Sequence, residues 1–250
     1  RMRSSAAAAA DDSSWSPPWP HRRPSGSRGA HAARETCTFE RGLRLGTAPA
    51  ARRGVMDGVA RELGVGYEVR KAGIDEKAIR RADPQELVLA LADAKADAIL
   101  AQEPGDLAGA AGVLITADQV VTQEAPGGPG APKIILEKPE SSEEFRAVAR
   151  SYADSPPSTV SGLVVTNLRT GARARGVDVV EIRFGSPLPD STLETLEEEG
   201  DVFYCAGGVM VEHALVMPHI EAMGGTQDSV FGLPRALLLE LLAEALGASG

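Results

Sequence analysis

The chain has 250 residues, a formal net charge of -9, 43% hydrophobic residues and only 4% aromatics. That suffices for one large domain or one two-lobed domain with a core of Ala, Val, Leu and Ile, and it argues against gripping nucleic acid by bulk charge or stacking bases on aromatic platforms. Cys37 and Cys205 are far apart, which argues for a reducing compartment and against a disulfide scaffold, and no apolar run nears the roughly 20 residues that span a bilayer.

Residues 1–40 are rich in Ala, Ser, Pro, Arg and Gly and read as a disordered leader. The Arg and Ser content also fits an organelle transit peptide, against which stand Asp11, Asp12 and the prolines. The folded domain is expected over 41–250. It opens with a strand over 43–46, a turn containing Thr47, Ala48 and Pro49, and a helix over 51–63 capped by Gly64. Tyr67-Glu68-Val69 alternates like a second strand. Asp83-Pro84-Gln85-Glu86 is a helix start, and Leu87, Leu91, Ala94, Ala98 and Ile99 form an apolar face behind it.

A Gly- and Ala-rich loop over 101–112 leads to a strand that ends at Asp118. A glycine-rich connection over 126–130 is followed by a returning strand over 133–136. Ser141 opens a helix to about Tyr152. Strands are expected over 159–167 and 177–184, joined by Arg169-Thr170-Gly171. Ser191 opens a helix to about Glu199, and an amphipathic helix closes the chain over 234–246. Strands and helices interleave without strict alternation, so the fold class is α/β with a mixed sheet.

Asp118 is the leading functional candidate. It follows the apolar run Val113-Leu114-Ile115-Thr116-Ala117, and an isolated buried charge is costly. Such a carboxylate coordinates a cation, takes a proton or pairs with a base, and the plainer readings are a turn-forming Asp at a strand end or an N-cap. Arg52 and Arg53 sit in the first turn of the first helix, where phosphate binds readily, or are two solvated arginines. Glu76 beside Asp75 is a second candidate metal contributor, with an exposed acidic turn as the plainer reading. Lys95 among alanines and Lys138 before Pro139 read on their own as solvated lysines. Cys205-Ala206-Gly207-Gly208 is a tight turn, and Glu212 beyond it is an acceptor for a base edge or a solvated acid. His213 and His219 lack metal-site spacing. Walker A, G-x-S-x-G, H-E-x-x-H and G-x-G-x-x-G motifs are absent.

Taken in order, several short strings resemble one family. They are Gly46-Thr47-Ala48-Pro49-Ala50-Ala51-Arg52-Arg53, Ile74-Asp75-Glu76, Leu91-Ala92-Asp93-Ala94-Lys95-Ala96, Ala117-Asp118-Gln119-Val120-Val121, Glu137-Lys138-Pro139, Ala206-Gly207-Gly208 and Val230-Phe231-Gly232-Leu233-Pro234. Each is weak alone, but the ordered set over about 42–246 resembles the Maf family of nucleotide pyrophosphatases, plant-type members most of all. The resemblance implies an elongated, two-lobed mixed-sheet fold (Maf/ITPase-like) with a central cleft. It also implies a cytosolic homodimer that splits a nucleoside triphosphate between the α- and β-phosphates with Mg²⁺ or Mn²⁺, and that binds neither nucleic acid nor membrane.

Carried over by motif, Asp118 is the general base or metal-linked acid and Glu76 helps to hold the metal. Arg52, Arg53, Lys95 and Lys138 hold phosphates, while Arg52, Gln119 and Glu212 tune base choice. The chain departs from the family at Thr47, Ala48 and Pro49, where serines are usual, and at Gln119, where Thr is commoner. Glu212 and Cys205 replace a Gln and a Lys of the pyrimidine-preferring branch, and Pro156 falls near a position often held by His. These changes leave a modified or purine base as open as a pyrimidine. The altered turn also raises a non-enzymatic alternative, a nucleotide-binding regulator of cell division without turnover.

Overall fold

The computed structural model describes residues 42–46, 50–102, 111–126 and 130–247. The leader, the turn at 47–49, most of the loop over 101–112 and the middle of the connection at 127–129 lie outside them.

β1 (Gly42–Gly46) runs into α1 (Ala50–Leu63), which Gly64 ends with φ +65. β2 (Tyr67–Arg70) follows, then a short 3-10 turn over Glu76–Ala78. α2 (Pro84–Gln102) begins where the Asp83 carboxylate accepts from the amides of Gln85 and Glu86, satisfying two otherwise orphaned donors. β3 (Gly112–Glu124) and β4 (Lys133–Leu136) form a hairpin, and α3 (Ser142–Ser151) is capped by the Ser141 hydroxyl. The long antiparallel pair β5 (Ser158–Asn167) and β6 (Arg173–Phe184) is followed by α4 (Asp190–Glu199), β7 (Ile220–Met223), α5 (Gln227–Val230) and α6 (Arg235–Leu246).

The mixed sheet has seven strands in the order β2-β1-β3-β5-β6-β7, with β4 also on β3. β1 is parallel to β2 and β3, and the other pairings are antiparallel. Buried apolar side chains gather in separate cores. One lies where α1 and α6 cover β1, β3 and β5, around Met56, Val59, Ile115, Leu163 and Leu238. Another lies at the far end, where Phe145, Ile182, Leu193 and Leu196 join α3, β6 and α4. A smaller one packs Ala96 and Ile99 of α2 against Leu114. A mixed seven-stranded sheet flanked by helices is the α/β build expected from the sequence. No helix among the described residues is long and apolar enough to cross a membrane.

Several boundaries differ from expectation for local reasons. β6 starts at Arg173 rather than 177, because the chain pairs with β5 directly after the turn at Gly171. α4 starts at Asp190 behind Pro189, so Ser191 lies inside the helix and is not its cap. The buried face of α2 is Leu87, Val88, Leu91, Ala92, Lys95, Ala96 and Ile99, rotated away from Ala94 and Ala98. The largest difference is at β3. It does not end at Asp118 but runs through it to Glu124.

Candidate active site

β3 explains why a carboxylate is tolerated in mid-strand. On one side it pairs with β5 over its length, with Asp118 opposite Gly162. On the other side β1 covers Gly112 to Ile115 and β4 covers Val121 to Glu124. Among the described residues, 116–120 therefore have no strand neighbour there, and the sheet carries a notch at Asp118. Successive side chains alternate between faces. Leu114, Thr116 and Asp118 face α2, whose Ala92 carbonyl accepts from the Thr116 hydroxyl at 2.8 Å. Ala117 and Gln119 face the other way.

Lys95 Nζ stands 2.5 Å from Asp118 Oδ1 and 2.8 Å from Glu76 Oε1. Lys95 and Asp118 are only 7% and 8% exposed, whereas the Glu76 side chain is half exposed. Gly162 sets how close α2 comes. A Cβ there would fall 2.7 Å from the Val88 backbone carbon, and Val88 is two turns before Lys95 on the same buried face. Glu76 is held by its own turn, in which Asp75 accepts from the Lys77 amide at 3.1 Å.

Arg52 enters the notch from α1. Its Nη1 donates to the Ala117 carbonyl at 3.4 Å and its Nε to the Phe231 carbonyl at 3.3 Å. Gly232 (φ +79) lies under the guanidinium, where a Cβ would come within 2.7 Å of Nε and Nη2. Burial lowers the Arg52 pKa, and Asp118 and Glu76 oppose that. An arginine stays charged even so. Burial pushes the Asp118 carboxyl above the ordinary carboxylate range. The charge and hydrogen bond of Lys95, and then Arg52, pull it back, while Glu76 adds a further upward push. A buried acid between two cations and a second acid can hold or release a proton, or ligate a cation.

The other candidates lie outside this cluster. Arg53, next to Arg52 and so about 100° around the helix, is exposed and lies beside Tyr67, whose hydroxyl donates to Asp57 at 2.7 Å. Among the described residues it makes no ion pair. Gln119 turns away from Asp118: its amide donates to Ser161 Oγ at 3.0 Å, the Val230 carbonyl at 2.9 Å and the Ser229 carbonyl at 3.4 Å. Lys138 and Glu212 are exposed and meet electrostatically at Cys205, whose thiol is pushed up to about 11 by burial and then by Glu212, with Lys138 opposing. The turn Cys205–Gly208 is bound to the segment after β4 that carries Lys138, with the Gly207 amide donating to the Glu137 carbonyl at 3.0 Å. Tyr152 donates to the Gly207 carbonyl at 2.6 Å. His213 pairs with Glu199 at 2.8 Å and His219 with Ser186 at 3.2 Å, in keeping with structural roles.

Sequence reasoning did not single out Gly162, Ser161 or Ser229. Their only signal is register opposite Asp118 and Gln119 or place in the turn before Gly232, and register is invisible until strands are paired.

A family model described as Maf-like protein matches residues 43–245. A 7-methyl-GTP pyrophosphatase of Dictyostelium discoideum is 32% identical over 185 residues, covering 73% of this chain and 88% of that protein. A nucleoside triphosphate pyrophosphatase of Streptomyces coelicolor is 28% identical over 187 residues, covering 75% and 84%. A dTTP/UTP pyrophosphatase of Salinibacter ruber is 26% identical over 200 residues, covering 80% and 89%.

Proposed function

The chain belongs to the Maf-like protein family, and we propose that it is a nucleoside triphosphate pyrophosphatase, a hydrolase releasing a nucleoside monophosphate and pyrophosphate. The supporting observation is the Asp118 carboxylate, buried in the sheet notch between Lys95 and Arg52. In this reading water attacks the α-phosphorus and Asp118 accepts its proton. The bond from that phosphorus to the bridging oxygen breaks, and its electron pair leaves on pyrophosphate. A carboxyl lifted by burial is a better base near neutral pH than an exposed one. Lys95 and Arg52 donate to phosphate oxygens and oppose the charge that develops there. Lys138, in the segment after β4 bound to the 205–208 turn, is assigned a phosphate contact at the outer part of the site. Arg53 is left out, because it sits with Tyr67 rather than at the notch.

A divalent cation, Mg²⁺ or Mn²⁺, fits the donor set. Asp118 Oδ1 and Glu76 Oε1 already meet at one ammonium, so two carboxylate oxygens converge where a cation stands. No group of three or more metal-binding side chains occurs among the described residues. The ion would therefore complete its shell with phosphate and water oxygens, as Mg²⁺ commonly does. When bound it neutralises phosphate charge and acidifies water.

The exposed carboxylate of Glu212 beside Cys205 favours a base that is cationic or presents donors, such as the 7-methylguanine implied by the name of the Dictyostelium relative. The proposal includes a cytoplasmic homodimer with its catalytic domain over 41–250. Residues 1–40 lie outside the described residues, and their composition is the only ground for a leader there. Imaging of a fluorescent fusion decides whether that leader directs the chain to an organelle.

The test is a panel of standard and modified nucleoside triphosphates with Mg²⁺ or Mn²⁺, products identified by mass spectrometry, for wild type and Asp118→Asn. The expected result is monophosphate plus pyrophosphate from wild type and a loss on the order of a hundredfold or more in the variant. Orthophosphate and a diphosphate as products, or equal rates in both proteins, refute the assignment. Nucleotide binding without turnover in wild type supports the regulator reading instead.

A further inference from the structure

The inner cluster has no positive charge to spare. Lys95 and Arg52 face Asp118 and Glu76, two cations against two acids. A polyphosphate therefore needs cations from beyond this cluster to offset its charge. In the reading above the bond breaks at Asp118, so the two phosphates that leave lie further out.

Arg80 stands on that outer path. It follows the turn that carries Glu76, and its Nη1 donates to the carbonyls of Ile79 at 3.2 Å and Glu76 at 3.4 Å. Its Nη2 lies 3.8 Å from Oε1 of Glu137, the residue before Lys138. The two segments flank the notch from opposite sides. The Arg80 segment follows β2 on the β1 side of β3, and the Glu137 segment follows β4. The Arg80–Glu137 pair thus spans the gap that β1 and β4 leave along β3.

The pair is loose. Every other ion pair of an arginine among the described residues is 3.0 Å or shorter, whereas this one lies beyond hydrogen-bond distance. Both side chains are more than half exposed, so the contact contributes little and is readily exchanged. Arg80 also shares a pattern with Arg52. Each guanidinium is held by backbone carbonyls, which orient it without cancelling its charge. Nε and Nη2 keep donors free to fork onto an oxyanion, which a carboxylate partner at close range would occupy.

We infer that Arg80 is a substrate-binding residue that exchanges Glu137 for the β- and γ-phosphates, with Glu137 as its counterion while the site is empty. The inference deepens the function proposed above and rests on it, through a substrate that carries a pyrophosphate group.

The test uses the full chain with Mg²⁺. Affinities for inorganic pyrophosphate, inorganic tripolyphosphate and the monophosphate of the best substrate are measured by calorimetry, beside kcat/KM for that substrate. Arg80→Met is expected to weaken pyrophosphate and tripolyphosphate by on the order of tenfold and to lower kcat/KM by a similar factor. Monophosphate affinity should not change, because the monophosphate lacks the groups that Arg80 binds. Arg81→Met makes the same change in charge one residue away and should leave all four values as they are. Glu137→Gln frees Arg80 and should tighten pyrophosphate binding by up to about fivefold. Most of that gain should vanish in the Arg80→Met background.

Arg80→Lys keeps the charge without the fork. It should retain part of the affinity, and it replaces Arg80→Met in the cycle should that variant fold poorly. Equal losses for pyrophosphate and monophosphate, the same loss in Arg81→Met, or an undiminished Glu137→Gln gain without Arg80 overturns the inference and leaves the proposed function in place. Orthophosphate and a diphosphate as wild-type products remove instead the function on which the inference stands.

Discussion

Replacing Lys95 with Met tests the electrostatic centre of the site most directly. The change keeps a long apolar side chain but removes the ammonium 2.5 Å from Asp118 and 2.8 Å from Glu76. A unit pair at 4 Å is worth about 4 kcal/mol at an effective dielectric of about 20. Removing one member of a buried pair typically costs about 3–5 kcal/mol. Glu76 already repels Asp118, and proton uptake by Asp118 limits the loss. The lower end, about 3 kcal/mol, is therefore the expected destabilisation. At about 2–4 °C per kcal/mol for a chain of this size, the melting temperature should fall by about 6–12 °C at neutral pH.

The pH dependence gives the sharper test. Burial holds the folded-state carboxyl of Asp118 above its unfolded value, so between those two values the folded protein binds more protons and stability falls as pH rises. Lys95 pulls the carboxyl down, so its loss lifts the folded value further and extends that window upward. The deficit of Lys95→Met relative to wild type should be small near about pH 5 and grow toward about pH 8. Melting curves of both proteins at these two pH values, without nucleotide, measure it. The same deficit at both pH values, or none near about pH 8, refutes the picture of a buried carboxylate kept ionised by Lys95.

Asp118→Asn should abolish most turnover while the protein stays folded, because the buried Lys95 ammonium keeps Glu76 as a partner and the amide avoids the desolvation that raises the carboxyl; paired melting and rate assays read both effects. Gly162→Ala places a Cβ 2.7 Å from the backbone of α2 and should destabilise by about 1–3 kcal/mol. Its kcat should fall with the melting temperature, because α2 carries Lys95. Gly232→Ala combines a φ of +79 with a Cβ 2.7 Å from the Arg52 guanidinium. It should weaken inorganic tripolyphosphate binding while Gly171→Ala, in an open turn, does not. The Cys205 thiol, half-buried and pushed up to about 11, should resist iodoacetamide near about pH 7 in the native protein and react once unfolded, as peptide mapping would show.

The local elements are legible in the sequence because their causes are local. Asp83-Pro84 opens α2, Ser141 caps α3 and Gly64 ends α1, since caps act within a few residues. Asp118, Lys95, Arg52 and Glu76 are also identifiable as chemical types in an ordered series of motifs. Their arrangement is decided by contacts between distant segments. Helix α2 carries alanines on every side, so its sequence period does not say which face is buried; Gly162 on β5 admits the face that includes Lys95. The apolar run 113–117 reads as a strand cut short by a charge, whereas a notch between β1 and β4 and a lysine from α2 let the strand continue through Asp118. Adjacent arginines look equivalent along the chain, but one turns into the sheet and its neighbour toward solvent, as helical rotation requires. Propensity and capping follow from neighbours in the chain, whereas the face a helix buries and the side a strand leaves unpaired exist only once separate segments meet.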